Sequence, residues 1–360
     1  MKIVLIGSRC YPVSAPRANR TTELAKEFAK RGHEVVLYAL LGDFDYTQIS
    51  KETNIRFMNL GKTRWGLRSN TGSSANAFTR VLTFFLKRIV LFPECLMFPM
   101  VKKAIANEGN IDLLLTVANP HIVHMAASMS NLGKVKSWIA DCGDPFMGNP
   151  VKKFPFYFKY IEKRWCKKCD YITIPIKEAQ TAYYEEFHSK IRVIPQGFDF
   201  TNPSLKEYKK REIPTFGYSG IFYKGIRDPS NFLNYLLSVK EPFKFVCFTK
   251  PGFLEKYKDD LGDRLEIHNY IPRNELLMEL SQMDFLINIS NDSGVQRPSK
   301  LIDYALTKRP ILNISSVFSK REQTAFEEFF VGDYKQRYVI NDIERYNIVN
   351  VADQFLSLVH

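Results

Sequence analysis

The sequence of 360 residues is poor in cysteine and contains no long uninterrupted apolar run. Its six cysteines are scattered, whereas small secreted scaffolds are dense in cysteine, so we expect reduced thiols and a cytoplasmic protein. Cys166 and Cys169 have the spacing of half a zinc site, but no second pair follows at a useful distance. We therefore expect neither disulfide bonds nor a metal site.

The richest apolar stretch, residues 81–101, is too interrupted to cross a membrane. Spanning a bilayer needs about 18 consecutive apolar residues, and this stretch is broken by Lys87, Arg88, Pro93, Glu94 and Pro99. The first residues lead directly into a strand pattern and lack the longer apolar core and cleavage site of a signal peptide. The sequence therefore predicts no transmembrane helix.

Acidic residues are in the minority, since 38 Asp and Glu face 51 Lys and Arg, a formal net charge of +13. This surplus predicts anionic partners, and nucleic acid, phospholipid headgroups and sugar-nucleotide phosphates all qualify. We exclude nucleic acid because no RNA-recognition signature is present. An NAD-dependent enzyme is excluded too, because no G-x-G-x-x-G motif follows the first predicted strand.

Short apolar runs alternate with amphipathic stretches along the chain, as in βα units around a parallel sheet. The predicted strands of the first half are 2–7, 34–40, 111–117, 135–140, 171–174 and 192–195. Those of the second half are 215–219, 244–248, 265–268, 285–289 and 310–314, with helices near 229–240, 252–261, 273–283 and 298–307. The predicted fold class is α/β, with two Rossmann-like, doubly wound domains.

A charged, proline-containing segment at 198–214 separates the two halves. We predict a first domain at 1–195 and a second at 196–341, with a final helix at about 342–360 that packs back on the first domain. Open parallel sheets bind ligands at the carboxyl ends of their strands. We therefore expect a ligand in a cleft that both domains face.

The segment after the predicted strand 285–289 carries the clearest chemistry. A polar loop ends at Pro298, a residue that favours a first helical turn. The free amides of Ser299, Lys300 and Leu301 would then bind a phosphate at the positive end of the helix. Asp303, one turn further on, would accept hydrogen bonds from ribose hydroxyls. A capped helix with a solvated aspartate is an equally good interpretation of these residues.

Four segments together resemble one family. Residues 298–312 are similar to the P-S-K-x-x-[ED]-Y-x-x-x-x-x-P-[IV]-[IL] signature of GT-B glycosyltransferases. Residues 12–36 resemble the first loop, helix and second strand of the same enzymes, 193–199 resembles their V-I-P-N-G-V-D junction, and 217–225 their G-x-x-x-x-K-G donor loop. The likeness is to the large retaining, family 4-like group, which includes many bacterial capsule, exopolysaccharide and lipopolysaccharide enzymes. It implies a GT-B fold with the nucleotide sugar on the second domain.

The resemblance implies roles at matching positions. Lys224 would reach the donor diphosphate and stabilise the leaving group, although a solvated turn lysine is the alternative. Gly220 would let the backbone approach the same diphosphate. The other implied donor contacts are Tyr270, Ile271 and Pro272 for the base and Asp303 for the ribose.

The chain also departs from the family pattern. Val295 stands where the family carries the first glutamate of an E-x7-E pair. The donor loop has Ile221 and Phe222 in the space before Lys224, where the family has an arginine. These departures keep a second hypothesis open, in which the protein is a non-catalytic GT-B scaffold or a partner subunit of a glycosyltransferase.

Polar loops follow two predicted strands of the first domain, at 119–124 and 140–146. The second resembles a D-x-R-D-P-W loop of some of these enzymes, with Gly143 in place of the arginine. An aspartate before proline is as often an Asx turn as a functional group. The candidates are Asp144 and the weaker His121 as catalytic residues, and Asp141 and Arg17 on the acceptor side.

Two segments interleave basic and aromatic residues. Residues 62–103 contain eight Lys or Arg and one acidic residue, and residues 151–170 contain seven Lys or Arg among six aromatics. This pattern suits an anionic membrane surface, unless the aromatic faces belong to the core. We predict metal-independent, cofactor-free sugar transfer from a nucleoside diphosphate sugar to a glycan- or lipid-linked acceptor, at the inner membrane face. Retention of configuration is implied by the resemblance.

Overall fold

The computed structural model describes residues 1–13, 15–62, 77–150, 152–201, 205–225, 227–290 and 300–359, and within 77–83 the backbone only. The chain divides into two compact units. Unit 1 comprises Met1–Asp199 and Arg345–His360, and unit 2 comprises Phe200–Glu344. Each unit has its own parallel sheet.

The described part of unit 1 contains a seven-stranded sheet in the order β3-β2-β1-β4-β5-β6-β7. The sequence patterns predicted no strand at β3, whose edge position leaves it half exposed and whose Arg56 and Asn59 dilute the apolar run. The central strands are buried and nearly all apolar, as strands covered on both faces require. The strands are β1 (Lys2–Ile6), β2 (Glu34–Ala39), β3 (Ile55–Asn59), β4 (Ile111–Val117), β5 (Val135–Asp141), β6 (Tyr171–Ile174) and β7 (Ile191–Val193).

Helices connect these strands. Pro16 opens the first of them, as proline favours a first helical turn, and Gly32, with φ of +80°, follows its end. The described helices of this part of the chain are α1 (Pro16–Lys30), α2 (Thr47–Thr53), α3 (Ala77–Val90), α4 (Met97–Asn107), α5 (Ile122–Ser128) and α6 (Phe158–Lys168).

The described part of unit 2 contains a five-stranded parallel sheet in the order β10-β9-β8-β11-β12. Its strands are β8 (Thr215–Ser219), β9 (Lys244–Phe248), β10 (Leu265–His268), β11 (Phe285–Ile289) and β12 (Ile311–Ile314). Its helices are α7 (Ser230–Ser238), α8 (Lys258–Leu261), α9 (Arg273–Ser281), α10 (Lys300–Leu306) and α11 (Lys320–Phe330). The predicted α/β fold class with two doubly wound sheets is confirmed.

The last helix of the chain, α12 (Ile348–Leu356), belongs to unit 1. Val351 and Phe355 are buried in the same core cluster as Leu24 and Phe28 of α1. Arg31, just after α1, donates from Nη2 to the carbonyl oxygen of Val349 at 2.8 Å. The chain therefore returns to the first unit after completing the second.

Each sheet has one point where its strand order reverses direction. In unit 1 this point lies between β1 and β4, and in unit 2 between β8 and β11, because later strands add on opposite sides of these pairs. Loops leaving two such strands diverge to opposite faces and leave a crevice at the carboxyl ends. The loops after β1, β4, β8 and β11 are therefore where a ligand is expected.

Candidate functional site

In unit 2, the loop after β8 begins with Gly220, whose φ of +139° lies in a region that glycine favours. A Cβ atom there would lie 3.3 Å from the Tyr218 hydroxyl oxygen and 3.7 Å from Cδ of Lys300. Lys300 is the first residue of α10, which follows β11. The structure thus brings two predicted site residues, Gly220 and Lys300, together at the switch point of unit 2.

The ammonium group of Lys300 lies in an unusual environment. Its Nζ atom is 4.2 Å from the centroid of the Tyr218 ring. It is also buried and has no hydrogen-bond partner in the described part of the chain. Burial, and next to it the charge of Arg227, hold the pKa of Lys300 well below its ordinary value. A buried ammonium without a carboxylate is costly unless an anion binds beside it.

Arg227 is the second cation of this site, and the sequence patterns did not single it out. Its backbone pairs with Tyr223 in both directions, with N–O distances of 3.2 and 2.9 Å, so the two residues form an antiparallel bridge beside the turn at Lys224 and Gly225. This turn directs the guanidinium back towards the Tyr218 hydroxyl, with which it interacts. Its Nε atom is buried and has no hydrogen-bond partner among the described residues. Arg227 thus supplies a guanidinium after Lys224, whereas the resemblance led us to look for one before it.

Lys224 itself lies in the same turn, with an exposed side chain. The structure gives it no ion pair within the described ranges. Tyr270 is exposed after β10, and both Tyr223 and Arg227 are near enough to affect its pKa, which burial raises. Ile271 is half-buried and Pro272 is exposed before α9. Of these residues, Tyr270 lies near Arg227, and none makes a contact with Lys300 that the structure describes.

Asp303 is mostly buried rather than solvated. Its Oδ1 atom accepts a hydrogen bond of 2.7 Å from Nε of Arg273. Burial raises the pKa of Asp303, and Arg273 opposes the shift. One carboxylate oxygen of Asp303 is therefore engaged by α9.

The tyrosine of the Pro-Ser-Lys motif has a structural role that the sequence did not indicate. The buried Tyr304 hydroxyl accepts a hydrogen bond of 2.6 Å from the Ser219 amide and donates one of 3.3 Å to the Ser219 carbonyl oxygen. It thereby fixes α10 to the end of β8. Leu301 is buried in the core of the unit. Ser299 and Val295 lie outside the described residues.

In unit 1, Asp141 ends β5 and is buried among cations. Both of its oxygens accept 2.8 Å hydrogen bonds from Arg20, and Thr173 donates to Oδ1 at 2.7 Å. Arg17 forms a further ion pair with Oδ2. Burial raises the pKa of Asp141, but the two arginines outweigh it and hold that pKa below the usual range. The Asp141 carboxylate is thus fully engaged by α1 and β6.

Arg17 lies against Gly143. A Cβ atom at Gly143 would lie 3.0 Å from Cδ and 3.1 Å from Nε of Arg17, and the Arg17 guanidinium also donates to the Ala118 carbonyl oxygen after β4. The missing side chain of Gly143 is what lets Arg17 fit there. The resemblance places an arginine at position 143. In this chain, the Arg17 side chain from α1 lies beside that position.

Asp144 is only half-buried and is held on one side. Nδ2 of Asn119 donates to its Oδ2 atom at 3.1 Å, and the Asn119 carbonyl accepts a 3.1 Å hydrogen bond from Ser8, across the β1–β4 switch point. Nε2 of His121 lies 3.1 Å from the Asp144 carbonyl oxygen, which requires a proton on Nε2. Burial lowers the pKa of His121 to about 3, so the imidazole is neutral at physiological pH. His121 therefore holds the Asp144 loop in place rather than carrying charge.

A buried polar network lies behind this loop. Nδ1 of His124 is 2.7 Å from Oγ1 of Thr116, which also accepts a 2.9 Å hydrogen bond from Nε1 of Trp138. Nε2 of His124 is 3.5 Å from Sγ of Cys142. Burial holds the pKa of His124 well below its ordinary value. The network joins β4, β5 and α5, and so keeps the two loops of the site in register.

Two features are absent from the described residues. Within these residues, no group of three or more His, Cys, Asp or Glu side chains is placed to hold a metal ion. In the same part of the chain, no helix has the length and apolar character needed to cross a membrane.

No protein-family profile matches the sequence, and no curated protein matches it. The fold is shared with solved structures. Anabaena Alr3699/HepE in complex with UDP-glucose superposes with a TM-score of 0.62 and 10% identity, over 99% of this chain and 98% of that one. The lipopolysaccharide outer core galactosyltransferase WaaB gives 0.58 and 12%, over 100% and 99%. A UDP-N-acetylglucosamine 2-epimerase from Rickettsia bellii gives 0.54 and 13%, over 100% and 96%. These likenesses establish the GT-B fold.

Proposed function

We propose that this protein is a glycosyltransferase that moves a sugar from a nucleoside diphosphate sugar to a glycan- or lipid-linked acceptor in surface polysaccharide biosynthesis. The observation that carries the proposal is the pair of cationic side chains, Arg227 and Lys300, at the switch point of unit 2. Each has a buried nitrogen without a hydrogen-bond partner in the described part of the chain. Such a site favours a ligand with at least two negative charges, as a diphosphate has.

The remaining donor contacts follow from the same position. Transfer breaks the bond between the anomeric carbon and the diphosphate oxygen, so negative charge develops on the leaving group. Lys224, Arg227 and Lys300 would stabilise that charge. Gly220 and the amides of residues 299–301 would admit the diphosphate closely, Asp303 would hold the ribose, and the main chain of residues 270–272 would contact the base. The HepE structure with UDP-glucose supports this class of donor.

In unit 1, we propose Asp144 as the group that orients the reacting hydroxyl. Asn119 engages one of its oxygens, which leaves the second for the substrate. His121 would act by fixing the Asp144 loop. Arg17 and Asp141 would shape the acceptor side through their ion pair rather than by binding the acceptor directly.

We further propose that the transfer retains the anomeric configuration, needs no metal ion or cofactor, and takes place in the cytoplasm. Positively charged side chains, in place of a divalent cation, would neutralise the negative charge that develops on the leaving diphosphate. The six cysteines are all free thiols, which suits a reducing compartment.

Calorimetric titration with UDP, GDP and their sugars tests donor binding. We expect one nucleotide series to bind, and a hundredfold excess over Kd to stabilise the protein by about 2.7 kcal/mol. Arg227→Gln should weaken binding of that diphosphate by about tenfold to a hundredfold, since a hydrogen bond to a charged group contributes about 1.5–3 kcal/mol. Lys335→Gln, at an exposed lysine of the same unit, is the matched control and should leave binding unchanged. Absence of binding by every nucleotide would overturn the proposal.

Slow hydrolysis of the bound donor tests catalysis. We expect release of free sugar, with Asp144→Asn lowering the rate while the Kd for the nucleotide stays the same. Nuclear magnetic resonance of the first-formed sugar reports whether the anomeric configuration is retained. Donor binding without any turnover would favour the non-catalytic scaffold, and inversion at C2 of the sugar would favour an epimerase, the activity named for one protein of this fold.

A further inference from the structure

The last turns of α3 expose an apolar face. Phe85 and Ile89, four residues apart and therefore on one side of the helix, are 52% and 49% exposed. Val90 and Phe84 are also exposed, and Lys87 and Arg88 lie between them with exposed side chains. A helix that packs on a core buries such residues. This one leaves them to solvent.

A second exposed group lies where α6 begins. Phe156 is 73% and Tyr160 is 61% exposed, although neighbouring Phe158 is buried in the core. The sequence left open whether the aromatics of this segment are core or surface, and the structure divides them between both. The Tyr157 hydroxyl donates to the carbonyl oxygen of Ile89, which joins this segment to the end of α3. We call Phe84, Phe85, Ile89, Val90, Phe156 and Tyr160 the α3/α6 patch.

The surroundings of the α3/α6 patch are positively charged. Lys87 and Arg88 lie on α3, and Lys152, Lys153 and Lys159 lie in or before the first turn of α6, all with exposed side chains. No acidic residue occurs in the sequence at 84–90 or 152–160. The nearby Glu94 carboxylate interacts with Lys87 and Lys152, and the basic residues outnumber it. The patch therefore combines insertable apolar side chains with a cationic border.

We propose that the α3/α6 patch docks unit 1 on an anionic lipid surface. Apolar side chains would enter the boundary between headgroups and acyl chains, while the lysines and the arginine pair with anionic headgroups. The cationic border selects an anionic occupant, and the aliphatic and aromatic side chains select one with an apolar interior. A lipid leaflet has both properties. The inference goes beyond the transfer reaction, because it concerns a surface outside the switch points.

Vesicle sedimentation with the full chain tests the proposal. At low salt, the protein should sediment with vesicles of equal parts phosphatidylcholine and phosphatidylglycerol, and stay in the supernatant with phosphatidylcholine alone. Lys87→Gln with Arg88→Gln should weaken binding to the anionic vesicles by about 30-fold, since each basic residue near such a surface contributes about 1 kcal/mol. Phe85→Ser with Ile89→Ser should weaken it by about tenfold or more, because both lose apolar area that would be buried.

Matched variants in unit 2 supply the controls. Lys209→Gln with Lys210→Gln changes an adjacent exposed cation pair, and Val331→Ser changes a valine that is 77% exposed. Both should bind the anionic vesicles like the unaltered protein.

Three outcomes overturn the proposal. One is absence of sedimentation with the anionic vesicles, and another is equal loss in the patch and control variants. The third is a change of molar mass on light scattering in the patch variants without lipid, which would make the patch an interface between copies of the chain. Because the assay contains no nucleotide or sugar, its result is independent of whether the chain transfers sugar.

Discussion

The switch points of the two units make opposite use of buried charge. At the end of β5 in unit 1, Arg17 and Arg20 converge on the carboxylate of Asp141, so both cations face the same negative charge within the protein. Beside the end of β8 in unit 2, Arg227 and Lys300 converge on the neutral ring and hydroxyl of Tyr218, where the described residues provide no carboxylate. The same fold thus provides a carboxylate for the cations in one unit, whereas in the other unit we propose that a bound anion supplies the negative charge.

This contrast separates structural charge from functional charge. A buried cation next to a carboxylate matters for the fold because removal of either partner leaves an uncompensated buried charge. Cations with buried nitrogens beside a neutral group are expected to weaken the free protein, and we propose that a bound ligand offsets this cost. An arginine or lysine in a site therefore indicates a function only when the groups that face its side chain are also known. The predictions below test that distinction in order of expected size.

The largest effect is expected from Asp141→Asn. The substitution leaves Arg20, only 2% exposed, without a counter-charge. Breaking a buried pair in this way costs about 3–5 kcal/mol of unfolding free energy. Urea unfolding followed by tryptophan fluorescence measures it in unit 1, because all three tryptophans of the sequence fall within residues 1–199.

Asp353→Asn is the control for this prediction. Asp353 also pairs with an arginine of unit 1, Arg31, but it is largely exposed. The expected loss is below about 1 kcal/mol. Equal losses in the two variants would mean that the burial of Asp141 does not distinguish it.

Acid should destabilise unit 1 through its buried imidazoles. The pKa values of His121 and His124 are lowered in the folded state, so the unfolded chain takes up protons first as the pH falls below about 6.5. Each imidazole then removes about 1.4 kcal/mol of stability per pH unit. Burial raises the pKa of Glu162 to about 7, which has the opposite sign and offsets one imidazole between pH 7 and about 4.5.

The net expectation is a loss of about 1.4 kcal/mol per pH unit between pH 6.5 and 4.5, seen by tryptophan fluorescence. His121→Gln keeps an N–H donor for the Asp144 carbonyl. It should bring the slope of unfolding free energy against pH close to zero in this range. His268→Gln, at the one histidine between residues 200 and 344 of the sequence, should leave it unchanged. A slope in His121→Gln equal to that of the unaltered protein would contradict the assignment.

Lys300→Met sharpens the comparison because its two effects have opposite signs. It removes a buried ammonium that lacks a partner, so the ligand-free protein should gain about 1 kcal/mol of stability. It should also lose about tenfold or more in affinity for the nucleotide that binds. Scanning calorimetry measures the first effect and titration calorimetry the second. Lys335→Met is the control and should alter neither, since that lysine is exposed. A destabilised Lys300→Met protein would place Lys300 among the structural charges.

Much of the fold could be predicted from the sequence, because strands covered on both faces consist of consecutive apolar residues. The exception was β3, where Arg56 and Asn59 interrupt the apolar residues at an exposed edge. Gly220, Lys300 and Asp303 could be named in advance because a local motif places them. Whether they bind donor, however, is a question for the experiments proposed above.

Residues that depend on three-dimensional proximity could not be named in advance. Arg227 reaches Tyr218 because it pairs with Tyr223 across a chain reversal, and no spacing rule reports that reversal. Likewise, the sequence shows only that Gly143 stands where the family has an arginine. The structure shows that Arg17, over a hundred positions away, packs against Gly143. The burial of Asp141 by two arginines is also a tertiary property, so the motif could favour Asp144 over Asp141 but could not show how Asp141 is held.

An effect of similar size to that of Lys300→Met is expected from Tyr304→Phe. This variant removes a hydroxyl that bonds both the amide and the carbonyl of Ser219 and leaves that amide buried without an acceptor. The expected loss is about 1–2 kcal/mol, with faster amide hydrogen exchange at Ser219. Tyr257→Phe is the control, since the Tyr257 hydroxyl has no hydrogen bond that the structure describes. If Tyr304→Phe also weakens nucleotide binding while Tyr257→Phe does not, then fixing α10 to β8 is what holds Lys300 beside Gly220. Unchanged affinity would show that Lys300 keeps its place without that link.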